Sequence, residues 1–241
     1  MESFPTEPPT TKSADSLEPA ASTPEASEPF VIDWHTVLVW CGVPSIYASM
    51  ALSRLNGRPE FDAVARCAVP RATEDSVRKG NWMPPLVVIY GENGNGKTHM
   101  GTWLFSQRMA QAHAAFNARL KAGTLRDCEF PPTGMWVQAN RITSALKAFS
   151  RGAFDFEREM SQYTMPAVLM IDDLFADGAS DYDAANLTEL IERRMSAARA
   201  TIVTSNKGPI DIGEAYSRRL ADRLSDGEVV RFTGKSHRGR R

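Results

Sequence analysis

Along this chain, short and wholly apolar runs alternate with longer stretches in which apolar residues return every three to five positions. Leu86-Val-Val-Ile-Tyr90 is such a run, preceded by Pro84-Pro85 and followed by glycines. A continuous β-branched run of this length predicts a strand buried on both faces. After it, Met100, Trp103, Leu104, Met109, Ala112, Phe116 and Leu120 mark one long amphipathic helix. Met135–Gln138, Ala167–Ile171, Thr201–Thr204 and Glu228–Phe232 read as further strands. Between them, Ile142, Leu146 and Phe149, then Leu187, Leu190, Ile191 and Met195, and finally a span from about Asp211 to Leu224, read as helices. Strands separated by helices imply right-handed crossovers. The expected fold class is therefore α/β, a parallel five-stranded sheet with helices on both faces.

Two segments ahead of this pattern behave differently. From Trp34 to Ser53 there is no formal charge, but Gly42-Val-Pro44-Ser45 interrupts the run and polar residues dilute it. Two short helices joined at Gly-Val-Pro are expected there, and no membrane span. Residues 1–30 hold six acids, one base and six of the fifteen prolines. A segment so poor in apolar residues cannot offset its chain entropy, so a disordered acidic tail is expected, with none of the features of a secretory or transit peptide. The tail also explains the charge balance. The whole chain is −1, whereas the tail is −5 and the rest is +4. The 241 residues, 42% of them hydrophobic, then divide into the tail at 1–30, a short helical lead-in at 31–80 and one domain at 81–241 with a basic end. Cys41, Cys67 and Cys128 are odd in number and widely spaced, which fits neither a disulfide framework nor a metal site and points to a reducing, cytoplasmic setting.

Candidate chemistry starts where the first strand ends. Gly91-Glu92-Asn93-Gly94-Asn95-Gly96-Lys97-Thr98 matches G-x-x-x-x-G-K-[ST] between a buried strand and an amphipathic helix. Glycines let successive N–H groups converge on an anion at a helix N-terminus, Lys97 can reach the β- and γ-phosphates, and the Thr98 hydroxyl can ligate Mg²⁺. The third strand ends in Asp172-Asp173. An acid at the carboxyl end of a strand lies beside the phosphate loop, so Asp172 is expected to hold Mg²⁺ and Asp173 to orient or deprotonate water. Paired acids after a strand also cap helices. Thr204-Ser205-Asn206 ends the fourth strand, either as a contact to phosphate or water or as another cap. Arg219 and Arg223 share a helix face, as transition-state stabilisers or as a solvated surface.

These residues together resemble the DnaC/IstB group of AAA+ ATPases, the bacterial helicase loaders and transposition helper ATPases. Gly91–Thr98 followed by His99-Met100 is similar to the group's Walker A, Val168–Leu174 to its Walker B with Asp-Asp, and Thr204–Asn206 to its sensor 1. Ser217–Leu224 resembles the arginine-finger and sensor 2 segment, Phe232–Arg238 the closing motif, and Cys41–Tyr47 the element that precedes the core. The resemblance implies that Gly91 to Thr98 bind ATP, that Thr98 and Asp172 hold Mg²⁺, and that Asp173 and Asn206 position water. It further implies that Arg219 acts in a neighbouring subunit's site and Arg223 in its own, so that a homo-oligomeric ring or open helix assembles with ATP. Two positions depart from the pattern: His237 replaces a Tyr, and Phe175 replaces a Gly.

Partner expectations are less uniform. Arg151, Phe154, Phe156 and Arg158 alternate basic and aromatic residues that could hold single-stranded DNA, although the two phenylalanines could equally be core anchors. Lys235, Arg238, Arg240 and Arg241 could bind phosphates without sequence preference. The expected function is an ATP-hydrolysing loader that delivers a replicative helicase to single-stranded DNA. Helicase loaders of the group carry a folded docking domain before the core, whereas the acidic tail and residues 31–80 stand there in this chain. A transposition helper acting on duplex DNA with a transposase is therefore the alternative, and a P-loop small-molecule kinase a third reading.

Overall fold

A computed structural model describes residues 33–51, 59–68, 85–126, 129–149, 152–175 and 180–233. The acidic segment 1–30 lies outside them, as do Cys128, Arg151, His237 and the basic residues Lys235, Arg238, Arg240 and Arg241.

The described chain runs α1 (Trp34–Trp40), α2 (Ser45–Ala51), α3 (Pro59–Ala68), β1 (Leu86–Gly91), α4 (Lys97–Lys121), β2 (Gly134–Gln138), α5 (Ala139–Ala148), α6 (Ala153–Thr164), β3 (Val168–Leu174), α7 (Asp181–Ser196), β4 (Ala200–Ser205), α8 (Pro209–Ala215), α9 (Arg218–Ser225) and β5 (Glu228–Phe232). All strand pairs are parallel, in the order β2-β3-β4-β1-β5. Side chains alternate across each strand, so one apolar run fills two cores. Leu86 and Val88 of β1, Leu169 and Ile171 of β3 and Val203 of β4 face a core closed by α5 to α9. Val87, Ile89, Val168, Met170 and Ile202 face the opposite core, closed by α4 and by Leu38, Val43, Ala48, Val64 and Cys67 of the lead-in helices and their turn.

The lead-in is thus packed onto the sheet. Asp33 caps α1 by accepting from the His35 N–H at 3.1 Å. Between α1 and α2 the chain turns through Gly42 at φ 91°, where an added Cβ would lie 2.7 Å from the Trp136 carbonyl oxygen. Beside it the Trp136 N–H donates to the Cys41 carbonyl at 2.7 Å. The Gly-Val-Pro turn therefore covers the outer edge of β2, which would otherwise expose unpaired backbone groups. Among the described residues no helix is long and apolar enough to cross a membrane.

Three elements differ from the sequence pattern. The helix expected over Asp211–Leu224 is two helices, α8 and α9, broken at Tyr216-Ser217. Ser217 caps α9 by accepting from the Leu220 N–H, which redirects Leu220 and Leu224 into the core. α6 is a helix where only an aromatic–basic alternation was evident. Its buried Met160 and Tyr163 and the partly buried Phe156 follow helical spacing, while Phe154 stays 80% exposed. β3 continues past Ile171 to Leu174 through a register shift against β4.

At the amino-terminal edge of the sheet lies a fully buried Arg194. Its guanidinium donates to the carbonyls of Tyr163, Thr164, Pro166 and Ala200 and to the Thr201 hydroxyl, at 2.6–3.2 Å. Burial, reinforced by the positive charge of Arg199, pulls it down to about 9. It is held by carbonyl dipoles and a hydroxyl, and it ties the ends of α6 and α7 to the starts of β3 and β4.

Candidate active site

Gly91–Thr98 leaves the carboxyl end of β1 and enters α4. Gly91, Gly94 and Gly96 adopt φ of 148°, 80° and 98°. At Gly91 there is no room for a side chain, because a Cβ would lie 2.2 Å from the Phe232 carbonyl oxygen on β5. Asn95, fully buried, donates its side-chain amide to that same carbonyl at 3.1 Å and so pins the loop to β5. Glu92 and Asn93 are exposed at the tip. The Lys97 ammonium folds back under the loop, donating to the Gly91 and Glu92 carbonyls at 2.8 and 2.7 Å. Gly96 caps α4 without a side-chain hydrogen bond, which leaves the first N–H groups of a 25-residue helix without a side-chain cap.

The acids come from a bulge at the end of β3. Ile171 pairs with Val203 and Leu174 with Ser205, so one residue is extra on β3. Asp173 absorbs it at φ 60°, and the two neighbouring carboxylates consequently face different surroundings. Asp172 is 6% exposed and accepts from the Thr204 hydroxyl at 2.6 Å. Burial raises its pKa above the ordinary carboxylate range, opposed by hydrogen bonds from Thr204 and Thr98 and by the Lys97 charge, and aided by Asp173. Asp173 is exposed. Its Oδ1 accepts from the Asn206 amide at 3.2 Å, and its N–H donates to Thr204 Oγ1 at 2.9 Å.

Gly91 to Thr98, Asp172, Asp173 and Asn206 are thus assembled at one edge of the sheet. Thr204 is the residue that sequence reasoning missed as an individual. It was visible only as part of a polar triplet, and its bridging of both aspartates depends on the bulge. The residues present fit a nucleotide with Mg²⁺: a glycine loop at a helix start that has no side-chain cap, a buried ammonium, and the Thr98 hydroxyl beside the desolvated Asp172 carboxylate, two hard oxygen donors.

Arg219 and Arg223 lie elsewhere. Arg219 makes a paired contact with Glu192 of α7 at 3.0 and 2.6 Å, and Arg223 reaches the same carboxylate at 2.8 Å and Asp226 at 3.0 Å. The two arginines hold Glu192 below the ordinary carboxylate range, Arg219 first and Arg223 second. None of these contacts is to the Gly91–Thr98 loop. The Arg219 side chain is 71% exposed, beside a groove between α7 and the α8–α9 junction lined by Asp181, Thr188, Glu192, Tyr216 and Ser217.

No protein-family model matches the chain. Rv3427c of Mycobacterium tuberculosis (strain ATCC 25618 / H37Rv), which is named as an ATP-binding protein in an insertion sequence, is 26% identical over 190 residues, covering 76% of this chain and 68% of that protein. Among solved structures, the DnaC helicase loader superposes with a TM-score of 0.54 at 14% identity, covering 79% of this chain and 100% of that one. AMPPCP-bound DnaA from Aquifex aeolicus gives 0.54 at 15% identity, covering 76% of this chain. The chain spans about half the length of that DnaA structure, 49%. At these identities the likeness is one of fold, a parallel five-stranded sheet flanked by helices.

Proposed function

We propose that this protein is a Mg²⁺-dependent AAA+ ATPase whose ATP binding and hydrolysis drive assembly on DNA, and that it loads a replicative helicase onto single-stranded DNA. The observation that carries the reading is the hydrogen-bonded chain Asp172–Thr204–Asp173–Asn206 set beside the Lys97 loop. In this reading the loop N–H groups and Lys97 bind the phosphates, while Thr98 and Asp172 hold Mg²⁺, which neutralises phosphate charge when bound. Asp173, its Oδ1 fixed by Asn206, orients a water and takes its proton. Arg219 serves a neighbouring subunit, which its exposure supports, and Arg223 senses the nucleotide of its own site. Head-to-tail contacts of this kind build rings or open helices. Exposed pairs of the Arg219–Glu192 type are worth about 0–1 kcal/mol, little enough to be exchanged for a phosphate.

Phe154 and Arg158 lie one helical turn apart on α6, both exposed, and provide a stacking ring and a phosphate contact for a single strand. A second reading, a transposition helper acting on duplex DNA with a transposase, is favoured by the insertion-sequence relative. ATP turnover measured without DNA, with single-stranded DNA and with duplex DNA tests both. Stimulation by single strands supports the loader and stimulation by duplex supports the transposition helper. Turnover that ignores both contradicts each reading.

A further inference from the structure

Phe175 lies two residues beyond Asp173, at the position where the resemblance leads one to expect glycine. Its backbone keeps a glycine-like φ of 59°, a conformation that bulky residues seldom adopt. The ring is 6% exposed and tilts against the Tyr216 ring, with centroids 4.5 Å apart at 42°. Tyr216 ends α8 at φ −137°, ψ −61°, and the next residue, Ser217, caps α9. Tyr216 therefore sits at the bend that sets the direction of the helix carrying Arg219 and Arg223.

A second segment reaches the same tyrosine. Lys207 follows Asn206, and its ammonium donates to the Tyr216 hydroxyl at 2.9 Å. Its N–H donates to Ser205 Oγ at 3.0 Å, and Ser205 Oγ in turn donates to the Leu174 carbonyl at 3.2 Å. The chain leaving Asp173 and the chain leaving Asn206 are thus linked to each other and both end on Tyr216.

We infer that Phe175, Lys207 and Tyr216 form a positioning cluster that ties the two water-orienting residues, Asp173 and Asn206, to the orientation of α9, so that nucleotide-driven movement at the sheet edge is transmitted to Arg219. All three lie outside the residues assigned to the nucleotide, Mg²⁺ and water. The inference rests on the ATPase reading and on the proposed role of Arg219.

The test uses the full chain and compares wild type, Phe175→Gly, Phe175→Tyr, Lys207→Met and Arg219→Ala. The readouts are binding of a non-hydrolysable ATP analogue, KM and kcat for MgATP, and thermal unfolding. Phe175→Gly suits the positive φ and removes the ring both from Tyr216 and from the core, so its kcat is read beside its thermal unfolding. It is expected to leave analogue affinity and KM within about twofold while lowering kcat about tenfold or more, with Phe175→Tyr recovering to within about threefold. Lys207→Met, which keeps the ring contact, is expected to lower kcat about threefold and provides the test should Phe175→Gly not fold. Wild-type kcat in Phe175→Gly and Lys207→Met, or equal loss in Phe175→Gly and Phe175→Tyr, overturns the cluster. A wild-type chain without turnover overturns the ATPase reading, and full turnover in Arg219→Ala overturns the role of Arg219; either result removes the basis of the inference, separately from the Phe175 and Lys207 outcomes.

Discussion

Thr204→Val removes one hydroxyl at nearly constant volume from a side chain that is 1% exposed, so packing changes little and hydrogen bonding a great deal. Two interactions go: the 2.6 Å donation to the Asp172 carboxylate and the 2.9 Å acceptance from the Asp173 N–H. A bond to an ionised group is worth about 1.5–3 kcal/mol and a neutral one about 1 kcal/mol. The sum, about 2–4 kcal/mol, corresponds to a fall in Tm of roughly 5–12 °C for a domain of this size. The function should change more selectively. Without its hydroxyl partner Asp172 moves further above the ordinary carboxylate range, since the Thr204 bond lowers it, and Asp173 loses the contact that fixes its backbone at φ 60°. Calorimetric melting, with nucleotide affinity and turnover titrated against Mg²⁺, reads all of this. Expected are ATP affinity close to wild type in saturating Mg²⁺, a raised Mg²⁺ requirement and kcat lowered by about 10–100-fold, with Thr204→Ser recovering most of each loss. A Tm within about 2 °C of wild type together with an unchanged Mg²⁺ requirement would refute the bridging role.

Asp172→Asn should separate stability from function. Because burial raises the Asp172 pKa, the folded protein holds that proton more tightly than the unfolded chain does. The stabilising contribution is complete below the ordinary carboxylate range and is lost as pH rises through the folded pKa. At neutral pH without nucleotide, Asp172→Asn should therefore melt higher than wild type, the gain should vanish in acid, and hydrolysis should be absent; a lower Tm at neutral pH contradicts the burial argument. Arg194→Met should cost about 3–5 kcal/mol, because four carbonyls lose their donor at the base of the sheet. Urea unfolding measures this, and a cost below about 1 kcal/mol would show that the clamp contributes little. Mixing Arg219→Ala with Asp173→Asn subunits should restore turnover that neither shows alone, measured by phosphate release across mixing ratios; no recovery at any ratio contradicts action in a neighbouring site.

Much of this architecture can be read directly from the residues. The runs at Leu86, Val168 and Thr201 form the central strands because parallel strands covered on both faces need continuous apolar sequence, while those at Met135 and Glu228 form the less buried edge strands. The tight conformation of the Gly91–Thr98 loop was legible for a related reason, since its glycines answer to backbone conformation and to the close approach of β5 at Gly91. What escaped was set by tertiary context. The break at Tyr216-Ser217 depends on a serine that caps, and Ser is common enough in helices to pass unnoticed. α6 is obscured because its basic and aromatic residues fit a nucleic-acid contact as well as a core-facing helix. The bridging by Thr204 arises from a bulge, and a one-residue slip in register leaves no mark in the local pattern. The pairing of Arg219 and Arg223 with Glu192 joins residues about thirty positions apart on different helices, a contact that spacing within α9 could not reveal.

The central claim is that Gly91–Thr98 is a working nucleotide site in which Lys97, folded beneath the loop, reaches the phosphates. Calorimetric titration of MgATP into the wild-type chain and into Lys97→Ala tests it most directly. Saturable one-site binding by wild type and a loss of about 100-fold or more in the variant, equivalent to about 2.7 kcal/mol, is the expected result. Equal affinity in the two proteins, or no binding by wild type, would contradict the claim.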